Sequence, residues 1–167
     1  MNNVWDNLNK NIMDTPNQNF RYVEWKSSDE MHYSCLQWIS ELNFIKDEQV
    51  FFQDMLKEYT VPILESHLLE EAKSLIFKLT DSEKQVEDLL KETTKHRNGL
   101  QILLDGIDQP DQEKQYREEH KLLLKEVNNF TKKYQTLKKE IFKTVSTALK
   151  QQKQKKPIEL SLNNQKP

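Results

Sequence analysis

Three stretches of this chain repeat an apolar residue at alternating spacings of four and three, and that repeat limits the possible folds. The first stretch is Met31, Cys35, Trp38, Leu42, Ile45, Gln49, Phe52, Leu56 and Tyr59. The second runs from Leu68 through Ala72, Leu75, Leu79, Ser82, Val86, Leu89, Thr93, His96, Leu100 and Leu103 to Ile107. The third runs from Tyr116 through His120, Leu123, Val127, Phe130, Tyr134, Leu137, Ile141 and Thr144 to Ala148. Such spacing gathers one seam on one side of an α-helix, and the seam must be covered by other helices. The expected fold is therefore all-α, a long antiparallel three-helix bundle with coiled-coil-like heptad packing.

The element boundaries follow from local signals. Ser27 with Glu30 matches a capping box, so the first helix starts there. Pro62 disfavours helix at Val61 and suits the first turn of a new helix, which predicts a tight turn at Tyr59–Pro62, with a kinked continuous helix as the alternative. In the second helix Thr80 with Glu83, and Asn98-Gly99, read locally as a start and a stop. The unbroken period argues for continuity through both. Gly106 to Pro110 is the clearest turn, and Lys155-Lys156-Pro157 is expected to end the third helix. The chain then divides into an irregular N-terminal arm over 1–27, a helical bundle over 28–152 and a disordered tail over 154–167. The helices fall at about 28–60, 62–105 and 110–153. The arm offers Trp5, Phe20, Tyr22 and Trp25 for docking on the bundle.

Composition removes several functions. With only 2 glycines, Gly99 and Gly106, neither a dinucleotide-binding fingerprint nor a phosphate-binding P-loop can be written. The single Cys35 leaves no intramolecular disulfide and no Cys-based zinc site, which suits a reduced, cytoplasmic setting. Met1 to Lys10 lacks the basic start and apolar core of a signal peptide, and no apolar run is long enough to span a bilayer, so no membrane association is expected. The charge is uneven: residues 1–111 hold 11 basic and 21 acidic side chains, and residues 112–167 hold 14 and 6. Mutual attraction between helices, or a basic end meeting an anionic partner, accounts for such a split.

The turn near residue 108 sets a register in which seam positions of the last two helices face each other when their numbers sum to about 216. Ser82 then meets Tyr134, where the two hydroxyls are placed to bond. His96 meets His120, a polar core layer that fixes register. A pH-sensitive layer or a metal site are its other readings. Ferritin-like di-iron chemistry is excluded, because the chain has no Glu-x-x-His. Glu92 and Glu119, which would complete a two-histidine, two-carboxylate cluster, fall on the helix flanks. Cys35 reads as a small core residue, His67 as paired with Asp54 or solvent, and Glu41 and Glu48 as a solvated pair.

Three functions remain. The first is a non-catalytic cytoplasmic interaction or scaffold protein, with no cofactor or bound metal, docking a protein partner or a second copy through a Phe44, Phe51 and Met55 stripe. The second is polyanion or nucleic-acid binding through Lys132, Lys139, Lys143, Lys150 and Lys153 at the basic end of the last helix. The third is a metal-binding or pH-sensing bundle built on His96 and His120.

Overall fold

The computed structural model describes residues 27–104 and 110–163, with side chains over 27–100 and 111–154. Among the described residues there are four helices and no strand: α1 (Ser28–Glu58), α2 (Thr60–Glu65), α3 (Leu69–Leu104) and α4 (Pro110–Asn163). No helix among them is long and apolar enough to cross a membrane. The N-terminal arm, the Gly106 turn and the end of the tail lie outside the described residues.

The start of α1 is the capping box. The Ser27 amide donates to Glu30 Oε2 at 2.8 Å, and the Glu30 amide donates to Ser27 Oγ at 3.3 Å. Asp29 and Glu30 in the first turn add negative charge where the helix dipole favours it.

The chain does not reverse at Tyr59–Pro62, as the proline suggests. At Tyr59 the helix only kinks, and Pro62 is accommodated inside α2. Proline withholds the amide that would bond one turn back. Close by, the Thr60 hydroxyl shares its one proton between Leu56 O at 3.1 Å and Lys57 O at 2.8 Å, tying the kink to the end of α1. The reversal comes at Ser66–Leu68. His67 sits in the left-handed region, φ 60°. Its amide bonds Leu64 O at 3.3 Å, and the Leu68 amide reaches Ile63 O at 3.2 Å. These are the two bonds of a Schellman stop, with histidine where glycine is usual. Ile63 is buried in the core, and half-buried Leu68 packs against that core. His67 itself is exposed.

α3 runs 36 residues without a break through Thr80 and Asn98-Gly99. Gly99 has a packing reason: a Cβ there would overlap the hydroxyl and ring of Tyr116. The missing methyl makes room for a tyrosine of α4. α4 does not stop at Pro157. It continues to Asn163, 54 residues in all, about 80 Å long. Pro157 removes one amide-to-carbonyl bond, and helix-favouring Glu159 and Leu160 follow it.

Side-chain bonds fix the helix directions. α1 is antiparallel to α3, since Lys46 pairs with Glu87 and Gln49 with Ser82. α3 is antiparallel to α4, since Lys78 pairs with Glu140, Thr144 with Glu71 and His96 with His120. α1 and α4 therefore run parallel. Lys138 of α4 joins Glu48 of α1 at 2.5 Å, largely out of solvent. The described seam residues of α1, from Met31 to Leu56, are buried, as are those of α3 from Ala72 to Leu100 and of α4 from His120 to Ala148. Leu124 and Val145 are buried beside the α4 seam.

Candidate functional site

A polar layer crosses the core where the three long helices meet, and two of its members are His96 and His120. His96 of α3 and His120 of α4 lie at one level, Nε2 to Nδ1 3.2 Å. The third member is Cys35 of α1, whose Sγ is 3.9 Å from His120 Nδ1. Cys35 and His120 are fully buried and His96 nearly so. The α1 seam carries Cys35 in a core position, but the register of α1 against the other two helices was not legible, so its meeting with His120 was missed.

The surroundings orient these groups. Trp38, one turn after Cys35, stacks on His120 with centroids 4.6 Å apart and planes 26° apart. Tyr116, seated over Gly99, lies 5.6 Å from the His96 ring. Glu119 reaches across from α4, its Oε2 3.7 Å from His96 Nδ1. Glu119 was read as a flank residue outside the cluster; it is half exposed, yet long enough to touch the outer nitrogen of the buried ring. Burial holds His96 below the ordinary imidazole range, with Glu119 pulling the other way. The neutral ring with its proton on Nδ1, toward Glu119, leaves the Nε2 lone pair facing His120.

The bond expected between Ser82 and Tyr134 does not form. Ser82 Oγ accepts from Gln49 Nε2 of α1 at 2.6 Å. The Tyr134 side chain turns toward the Glu48–Lys138 pair, with Lys138 Nζ 5.7 Å from its ring centre. Burial and the Glu48 charge push the phenol far above its usual range. Glu48 is thus part of an interhelical pair, not a solvated residue. Gln53 also bridges to Glu83.

On the outside of α1, Phe44 is 62% and Phe51 52% exposed. Met55, expected on the same stripe, leans in and packs partly against the core. Phe51 meets Phe52 edge-on at 5.5 Å, and Phe52 meets Phe142 of α4 at 5.1 Å. Ring contacts thus lead from exposed Phe51 through buried Phe52 to Phe142 of α4, 37% exposed. Lys132, Lys139, Lys143, Lys150 and Lys153 all face solvent. Comparison with protein families, with curated proteins and with solved structures finds no match to this chain.

Proposed function

We propose that this chain is a non-catalytic protein that works by docking a partner protein on the outer face of α1. In this reading the three long helices form an antiparallel bundle with seams at heptad spacing, and α2 caps one end. The antiparallel bond pairs and the buried seams support it. The protein is placed in the cytoplasm, where its single thiol stays reduced.

Exposed Phe44 and Phe51 carry the functional reading. They stand seven residues apart, two turns along one face. Burying either ring in a partner is worth about 1.5–3 kcal/mol. Asp47, Asp54 and Glu58 lie exposed beside them. The fitting partner is an amphipathic helix with apolar side chains at two-turn spacing, flanked by Lys or Arg.

The test uses labelled helical peptides with one apolar stripe and either Lys or Glu flanks, titrated with the full chain by fluorescence anisotropy. The Lys-flanked peptide is expected to bind, and Phe44→Ala with Phe51→Ala to weaken it about tenfold or more. Equal binding of both peptides, or no effect of the substitutions, overturns the reading. Sedimentation of the same samples identifies a second copy as the occupant if the chain dimerises and the substitutions abolish the dimer.

A second reading has its own observation. Among the described residues none of Lys132, Lys139, Lys143, Lys150 and Lys153 is in an ion pair, while Lys138 and Lys78 are. A solvated basic stripe of this kind holds polyanions through phosphate charge, without base recognition. Retention on a polyanion column that falls steeply with salt, and is lost in Lys139→Glu with Lys143→Glu, supports it. Absence of retention at low salt removes it.

A further inference from the structure

We propose that Cys35, His96 and His120 form a binding site for one thiophilic divalent metal ion, zinc being the best match to two imidazoles and a thiolate. The site is independent of the outer face of α1. A single cysteine cannot build a multi-cysteine zinc site, but here it needs to supply only one thiolate, and two helices supply the nitrogens.

The geometry is close to that of a bound ion. Zinc bonds of about 2.0–2.1 Å to nitrogen and about 2.3 Å to sulfur put tetrahedral ligands about 3.3 Å apart for N···N and about 3.6 Å for N···S. The observed separations are 3.2 Å for His96 Nε2 to His120 Nδ1 and 3.9 Å for Cys35 Sγ to His120 Nδ1. All three ligand atoms lie within 4.8 Å of one another. Movements of a few tenths of an ångström in the first two contacts, and of at most about 1.2 Å in the third, close the set around one ion.

Glu119 supplies the second observation. A metal-bound histidine commonly donates its other ring N–H to a carboxylate, which fixes the tautomer and aims the lone pair. Glu119 stands 3.7 Å from His96 Nδ1, the nitrogen on the side away from His120. In the metal-free protein the two imidazoles share a proton between Nε2 and Nδ1. The ion takes that place, the shared proton moves to His120 Nε2 as the ring changes tautomer, and Cys35 releases its thiol proton to solvent on binding. Glu119 is half exposed, so the edge of the layer beside it is the route of entry. Three protein ligands leave a fourth position for water.

The experiment is a Co²⁺ titration of the reduced, chelator-treated full chain, followed by Zn²⁺ displacement. One equivalent of Co²⁺ is expected to produce a thiolate charge-transfer band in the near ultraviolet and tetrahedral bands in the red, both bleached by Zn²⁺. The chain has one cysteine, so a thiolate band identifies Cys35 without any variant. Cys35→Ser removes that band. Glu119→Gln, at the surface and outside the ligand set, keeps the helical signal and weakens Zn²⁺ about tenfold. Cobalt binding with no thiolate band, as exposed histidines would give, overturns the proposal. So does a wild-type melting temperature that does not rise with added Zn²⁺.

Discussion

His67 ends α2 in a conformation that costs a residue with a Cβ roughly 1–2 kcal/mol. Histidine is among the residues that tolerate it better than most. Its exposed side chain makes no contact that the turn needs. His67→Gly is therefore expected to raise stability by a few tenths to about 1 kcal/mol, the relief of strain exceeding the added freedom of the unfolded chain. A urea midpoint that falls in this variant speaks against the strain. Glu41 is a second single-residue case. Burial raises its carboxyl above the ordinary range, with Thr131 pulling it back. A carboxyl whose folded pKa is raised favours folding below its unfolded value, and that contribution is lost as pH rises through the folded value. Charged Glu41 thus weakens the fold at pH 7. Glu41→Gln is expected to be more stable than the parent at pH 7 and to lose that advantage as pH falls toward 4. Urea melts at several pH values check the convergence.

At the level of the helices, the joints between α1 and its neighbours are partly polar. Gln49 reaches Ser82 through its Nε2, while its buried Oε1 has no hydrogen-bond partner among the described residues. Leaving such an atom dry costs about 1–3 kcal/mol. Gln49→Met with Ser82→Ala removes both polar groups at similar volume, and is expected to raise thermal stability by about 1–2 kcal/mol. A melting temperature that drops would show the bond to be worth more than the orphaned oxygen costs. The same joints explain what could be foreseen. The four-three spacing marked the buried face of each long helix, and one turn near residue 108 sufficed to pair His96 with His120. The α1 register had no such anchor. Its chain reversal depends on a histidine in a glycine conformation, which no composition rule flags, and the short α2 shifts everything before it. Hence Gln49 and Cys35 were visible as seam positions while their partners Ser82 and His120 were not. Phe44, Phe51 and Met55 were legible as a second apolar stripe, but which of them the bundle covers depended on tertiary packing, which leaves the two phenylalanines exposed and turns Met55 inward.

For the molecule as a whole, α4 sets the dimension. A helix of 54 residues spans about 80 Å, while a compact globule of this length is about 40 Å across. Small-angle scattering is expected to give a maximum dimension of at least about 80 Å, and a value near the globular one would mean that α4 bends back. So long a pair of helices with a repeating seam has a particular hazard in folding. Seams that repeat every seven residues pack nearly as well when one helix slides by one heptad. Gly99 breaks that degeneracy in one direction. Sliding α3 seven residues one way brings Glu92 to the place where Tyr116 needs an absent Cβ, so that slipped pairing excludes the ring; the opposite slide brings Gly106 there. Gly99→Ala gains up to about 1 kcal/mol of helix propensity, but it makes Tyr116 move and brings the native and slipped pairings closer in energy. It is expected to refold in two kinetic phases where the parent refolds in one. A single glycine thus acts as a stop on a sliding track, barring the slip that would bring Glu92 under the ring.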